Sequence, residues 1–293
     1  MIKEIQAKSI LLHSKAPDPW FGIQYTMNLY RGCQHQCIYC DSRSDCYQIE
    51  NFNDTLVKVN ALDLLKKELP SKRIKGTIGT GSMNDPYAPV EKQYQLTRGA
   101  LNLFLQYGFP VHVLTKSKLV MRDVDLLSQI AQDSQALVSF TITTYDDALG
   151  KKLEPGAALV SERLAAMQFL AKRGINVGVL LMPVLPFIED NWENIRGIVE
   201  QAHAHGAGYI LAAFGMTQRK GQQEHYLRQL ERLFPGVKEK HLQAFGNRYE
   251  CAANDAQGLS EQFKELCAQK GIELKVPQFK VKEQVRQLSL LGI

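Results

Sequence analysis

Residues 28–41 read NLYRGCQHQCIYCD, and the reading of the whole chain turns on that stretch. Cys33, Cys37 and Cys40 stand in the spacing C-x-x-x-C-x-x-C, with Ile38 and Tyr39 just before the last cysteine. Thiolates are soft ligands that favour iron–sulfur clusters and zinc, and a short loop carrying three of them can wrap a compact inorganic centre. Three cysteines are one short of a closed set of four. In a cubane cluster that shortfall leaves one iron open to a substrate or cofactor. A structural zinc ion would need a fourth ligand, for which His35 and Cys46 are the neighbouring candidates.

Upstream of the loop, IQYTMNLY (23–30) supplies β-branched and apolar residues for a first strand ending near Tyr30, while PDPW (17–20) marks a turn closing an arm of residues 1–20. Downstream, residues 54–69 place Leu56, Val59, Leu62, Leu65 and Leu69 at helical spacing, with Asn53 or Asp54 as the cap. A short second strand then runs into the glycine-rich loop Gly79-Thr80-Gly81-Ser82. Further strands are predicted in 109–117, 137–144, 175–186 and 207–216, separated by helices over about 95–107, 124–132, 161–173 and 191–205. These make six strands, each but the last followed by a helix. Repeated βα units imply an α/β fold with parallel strands and right-handed crossovers. Six units are too few to close an eight-fold barrel, and every polar cluster of interest falls at a strand's carboxyl end, where barrels of this kind do chemistry. After Met216 the pattern changes to charged helices, so residues 21–216 read as a barrel and 217–293 as a mostly helical extension packed on it.

The longest apolar run, Val177 to Phe187, is too short to span a bilayer and holds two prolines. The first ten residues contain no apolar signal segment. Both features point to the cytoplasm and away from a membrane protein. Three of the six cysteines lie within eight residues, a metal pattern rather than a disulfide framework. A net charge of +5 permits contact with nucleic acid or an acidic electron-transfer protein and demands neither. No base-reading motif or dense Lys/Arg stripe stands out.

The cysteine loop, with an aromatic residue before its third cysteine, resembles that of the radical S-adenosylmethionine (radical SAM) enzymes. GSMNDPYAPVEKQYQLTR (81–98), HVLTKSKLVMRDVDLL (112–127) and LEPG (153–156) are similar to the spore photoproduct lyase branch of that superfamily, and the resemblance spans roughly residues 20–215. It implies a partial (β/α)6 TIM-type barrel. It also implies that Cys33, Cys37 and Cys40 hold a 4Fe-4S cluster whose fourth iron chelates the amino and carboxylate groups of S-adenosylmethionine. An electron from a donor such as flavodoxin or ferredoxin then cleaves the sulfur–carbon bond, and the adenosyl radical abstracts hydrogen from a substrate.

By the same resemblance Tyr39 belongs to the cofactor site, and Gly79, Thr80, Gly81 and Ser82 grip the methionine amino group, for which glycines permit close approach and carbonyls accept protons. Lys116 neutralises the carboxylate. Thr141 hydrogen-bonds the ribose, with Thr143 on the same strand face. Arg163 reaches the cofactor carboxylate or pairs with Glu154, a surface salt bridge being the simplest account. Nucleic acid as substrate rests on the resemblance alone. A peptide or small metabolite is the competing substrate class, and a non-catalytic iron–sulfur or zinc module the competing non-enzyme.

One departure matters. In the lyase branch a cysteine after the second strand returns a hydrogen atom to the product radical, but here residues 81–85 read GSMND, without a thiol. A serine O–H bond is too strong to replace it. Cys251 and Tyr249, in a predicted turn NRYECAAND (247–255), are candidate donors if the extension crosses the barrel mouth. Cys267 falls at helical spacing with Phe263 and Leu259 and reads as a small buried hydrophobe.

Overall fold

A computed structural model describes residues 1–280; the end of the expected extension, 281–293, lies outside the described residues. The arm carries two strands, β1 (Ile2–Ile5) and β2 (Leu11–His13). The first predicted strand divides into β3 (Tyr25–Met27) and β4 (Tyr30–Arg31), which belong to different sheets. The helix predicted from residue 54 also divides. Its first turn is a strand, β5 (Thr55–Lys58), and α1 (Ala61–Glu68) begins only after Asn60. Thr55 and Val57 are β-branched and buried, alternating with half-buried Leu56 and Lys58, a period of two that suits a strand sandwiched between β1 and β4.

The alternation then follows the predicted order. After β6 (Ile78–Thr80) come α2 (Glu91–Tyr94) and α3 (Leu96–Tyr107), then β7 (Val111–Thr115), α4 (Val124–Asp133) and β8 (Ala136–Thr141). Helix α5 (Asp147–Leu153), unforeseen in the sequence, precedes α6 (Val160–Ala171). Strand β9 (Asn176–Leu181), α7 (Trp192–Ala204) and β10 (Tyr209–Ala212) complete the series. The main sheet runs β10-β9-β8-β7-β6-β3-β2, with the first six strands mutually parallel and β2 antiparallel at the edge. This is the partial (β/α)6 barrel. All six residues of β8 are buried, as expected of a parallel strand covered on both faces. A polar chain is buried in the sheet: His112 Nδ1 lies 3.0 Å from the Phe21 carbonyl and Nε2 2.7 Å from Ser139 Oγ, itself 2.7 Å from the Tyr209 hydroxyl.

Beyond β10 the chain forms β11 (Gly215–Thr217), α8 (Gln222–Leu233), α9 (Val237–Phe245), β12 (Glu250–Ala252) and α10 (Ala256–Lys270). The extension is mostly helical, as predicted, but it returns one strand: β12 pairs antiparallel with β11, setting Cys251 opposite Met216. Tyr226 and Leu230 of α8 share an apolar cluster with Cys37, Ile38 and Tyr39. Cys267 is fully buried on α10, alongside Leu259 and Phe263. Among the described residues no helix is long and apolar enough to cross a membrane.

Candidate cofactor site at the barrel mouth

Cys33, Cys37 and Cys40 open into a cavity of about 680 Å³ at the carboxyl ends of the barrel strands. The loop that carries them is held from several sides. Gln36 Nε2 donates to the Cys33 carbonyl (2.7 Å), the Ile38 N–H to the Leu153 carbonyl (2.9 Å), and the Gly156 N–H to the His35 carbonyl (2.9 Å). Burial pushes the Cys33 thiol up to about 12 and the Cys37 thiol well above its ordinary value. Such thiols become ligands when a metal centre displaces their protons. Among the described residues no three His, Cys, Asp or Glu side chains converge on a single ion. Of the two candidate fourth ligands for zinc, His35 lines the cavity with the three cysteines, whereas Cys46 does not. His35 Nδ1 lies 3.3 Å from Asp85, and Cys46 is exposed beside Arg219.

The turn after β6 forms a second wall. Gly79, Thr80, Gly81 and Ser82 all line the cavity. Gly81 has a φ of +89°, and a Cβ there would overlap the Leu114 carbonyl, so both backbone shape and close packing require glycine. Asp85 anchors this turn to its neighbours. It accepts from the Thr115 hydroxyl (2.7 Å), the Lys116 N–H (2.6 Å) and the Tyr87 N–H (2.8 Å). Burial alone would raise the Asp85 carboxyl, but His35 and these donors hold it down at about 2. The stretch 81–98 continues as a buried polar network: Arg122 bonds Glu91 (2.6 Å) and Asp123 (2.7 Å), Arg98 bonds Asp123 (2.9 Å), and Tyr87 donates to Asp123 (3.0 Å). The sequence marked this stretch without giving its reason, which is to brace the turn. His35 and Asp85 were missed as a pair because fifty residues separate them.

Lys116 lines the cavity at the end of β7, with its ammonium 5.7 Å from the centre of the Tyr39 ring and no ion pair among the described residues. Burial opposes its charge, but Cys37 and Glu154 nearby outweigh this and raise its pKa. Thr141, the last residue of β8, lines the cavity too, and so does Tyr39. Thr143 is buried outside the lining, beyond the end of the strand, and its carbonyl accepts from Asn194 Nδ2 (2.8 Å). The expectation of one strand face for both threonines fails because β8 stops at Thr141.

Arg163 and Glu154 do pair, but not at the surface: both are nearly inaccessible. Arg163 also donates from Nε to the Ala158 carbonyl (2.9 Å) and from Nη1 to the Thr141 carbonyl (2.8 Å), so its fork is spent on protein acceptors, and Arg163 itself does not line the cavity. Glu154 in turn accepts from the Tyr39 hydroxyl. Burial disfavours its charge, yet Arg163 and Lys116 keep its pKa low. This pair thus underlies the cysteine loop. Gly156 explains the rest of the LEPG stretch, since a Cβ there would overlap the Gln34 carbonyl and crowd the His35 backbone.

Cys251 sits on β12 rather than in a turn, buried and lining the cavity, in the apolar cluster that includes Cys37 and Tyr39. Burial raises its thiol to about 11. Tyr249 is half-exposed, outside the lining, with its hydroxyl 3.1 Å from Arg219 Nη2. The cavity therefore joins four thiols, a glycine turn, one cation and buried polar atoms left without a hydrogen bond among the described residues, among them Thr80 Oγ1 and Asn84 Nδ2. Its size suits a nucleoside-sized ligand. The donor set fits a thiolate-held cluster beside a zwitterionic amino acid cofactor.

The model of the Radical SAM superfamily matches residues 27–202, and the chain belongs to that superfamily. It is 31% identical over 252 residues to an uncharacterised protein of Mycobacterium tuberculosis, covering 83% of this chain and 73% of that protein. It is 24% identical over 197 residues to the radical SAM Nalpha-GlyT isomerase of Pseudomonas phage M6, covering 67% of this chain and 40% of that enzyme. Its fold is similar to that of spore photoproduct lyase complexed with dinucleoside spore photoproduct, with a TM-score of 0.68 at 16% identity over 93% of this chain and 81% of that one. The chain is accordingly a radical SAM enzyme, and members of its superfamily use a 4Fe-4S cluster and S-adenosylmethionine.

Proposed function

We propose that this enzyme performs hydrogen-abstraction chemistry on a nucleic-acid substrate, with Cys251 as the hydrogen donor. Cys33, Cys37 and Cys40 would hold the cluster. Gly79, Thr80, Gly81, Ser82, Lys116 and Thr141 would bind S-adenosylmethionine, while Thr143, Arg163 and Tyr39 would shape the wall behind it. When bound, these groups supply a carbon-centred radical that removes a hydrogen atom from the substrate. The observation that carries the reading is the Cys251 thiol, which opens into the same cavity as the three cluster cysteines although the 81–85 loop has none. Burial keeps this thiol protonated at neutral pH, the form a hydrogen donor needs. As the product C–H bond forms, the Cys251 S–H bond breaks; the resulting thiyl regains an electron and a proton from the reductant that also serves the cluster. Likeness to a lyase solved with a dinucleoside photoproduct supports the substrate class. Six free cysteines suit a reducing cytoplasm.

The test is anaerobic reconstitution followed by incubation with S-adenosylmethionine, reductant and either dinucleoside spore photoproduct or ultraviolet-irradiated oligonucleotide. Formation of 5'-deoxyadenosine with a repaired or rearranged base is expected. Cys251→Ala should raise the S-adenosylmethionine consumed per product. Normal product at normal stoichiometry would leave Cys251 without this role.

A further inference from the structure

The cysteine loop has an outer side as well as a cavity side, and the outer side is basic. Arg43 ends the short turn Asp41–Arg43 that follows Cys40. Its guanidinium lies 4.1 Å from the centre of the Phe52 ring, one nitrogen donates to Gln36 (2.5 Å), and its Nε is buried without a partner among the described residues. Beside it α8 is fastened to the loop: Gln222 Nε2 donates to the Tyr39 carbonyl (3.2 Å), and the Asp45 N–H to the Lys220 carbonyl (3.0 Å). The outward side of that helix carries His225, Arg228 and Arg232, at spacings of three and four. Arg228 makes no ion pair among the described residues, and Arg232 bonds only Gln229 (2.8 Å).

The nearby acids are already engaged. Glu224 accepts from the Gly221 N–H at the helix start, Glu231 pairs with Lys238 (2.9 Å), Asp41 with Arg219 (3.1 Å), and Asp45 lies 3.9 Å from Lys220. Arg43, Arg228 and Arg232 stand close enough together that, with burial, they push the His225 imidazole down to about 4. Like charges four apart on a helix destabilise it slightly, so folding alone does not account for this grouping. None of Arg43, His225, Arg228 and Arg232 lines the cavity.

We propose that this face, Arg43 with Arg228 and Arg232 of α8, is the docking surface for an acidic electron-transfer protein that reduces the cluster. The inference rests on the reading of Cys33, Cys37 and Cys40 as cluster ligands. An occupant of this face touches the back of the cysteine loop and leaves the cavity free for cofactor and substrate. Charge complementarity of this kind acts mainly on the rate of encounter and fades with salt.

The test compares the unaltered protein with Arg228→Glu/Arg232→Glu, both residues being exposed, using reduced flavodoxin and dithionite as alternative electron donors. The double variant should keep its iron content and its dithionite-driven cleavage of S-adenosylmethionine. Its flavodoxin-driven cleavage at low salt should fall about tenfold or more, and the difference should shrink as salt is raised. Equal flavodoxin-driven rates overturn the surface. Activity of the unaltered protein with dithionite but not flavodoxin does the same. Weaker binding of a plain oligonucleotide with flavodoxin-driven rates intact assigns the face to phosphates and overturns it too. Inactivity of the unaltered protein with both donors overturns the underlying reading of the site.

Discussion

Lys116 and Arg163 both lie near the cysteine loop, and their surroundings give them different work. Lys116 faces the cavity without an ion pair among the described residues, so its charge is available to a ligand. Arg163 has three acceptors in the protein, one of them a buried carboxylate. Lys116→Ala should therefore weaken S-adenosylmethionine binding about ten- to over one hundred-fold, the worth of roughly 1.5–3 kcal/mol for a charge-assisted hydrogen bond. Iron content should not change. A titration showing unaltered affinity would return Lys116 to a packing role. Arg163→Met should act on the fold instead. Leaving Glu154 charged and buried costs about 3–5 kcal/mol, against less than about 1 kcal/mol for an exposed pair. Urea unfolding separates these, and a loss below about 1 kcal/mol would contradict the burial described above. Residue types and spacing suggested that Glu154 and Arg163 meet. They carried no sign of depth, because burial depends on what α5, α6 and the cysteine loop do together.

Among the elements, the segment after α5 shows how a short motif can serve another part of the chain. Leu153 and Gly156 give the cysteine loop two backbone hydrogen bonds, and Gly156 permits the approach by lacking a side chain. Gly156→Ala forces backbone apart at Gln34 and His35, so about 1–3 kcal/mol of stability should be lost. Iron bound after reconstitution should fall with it, since the loop that presents Cys33 and Cys37 must move. Full iron loading and an unchanged unfolding midpoint would mean that the loop yields without cost. Nothing local in LEPG announces this role; its partner lies more than a hundred residues upstream. By contrast the six parallel strands were legible, because each lies in an apolar or β-branched stretch of a repeated strand–helix alternation. Thr55–Lys58 misled for a physical reason: its apolar residues also fit the helical spacing of α1, and only the arm's β1 and the short β4 supply the pairing that makes it a strand. β12 was hidden likewise, being three residues long and dependent on β11.

At the scale of the whole molecule, barrel and extension together keep several histidines from taking up protons. Burial pushes His112 and His241 down to about 4, and burial together with Arg43, Arg228 and Arg232 does the same for His225. His112 is the clearest case, since it is fully buried, with Nε2 facing the Ser139 hydroxyl and Nδ1 the Phe21 carbonyl. The unfolded chain binds protons near pH 6.5 that the folded chain refuses until about pH 4. A depressed pKa therefore adds stability that is fully present above about pH 6.5 and is lost as pH falls through the folded value. For His112 the loss over that window is on the order of 3 kcal/mol. His225, which is partly exposed, contributes less, because solvent screens it. Urea unfolding of the parent at pH 7 and at pH 5 should accordingly show a marked fall in stability. In His112→Gln, which keeps a donor and an acceptor but cannot be protonated, stability at pH 7 should be lower and its dependence on pH shallower by up to one proton. Parallel pH profiles for parent and variant would mean that His112 takes its proton inside the folded barrel and that carboxylates or the other histidines set the acid limit.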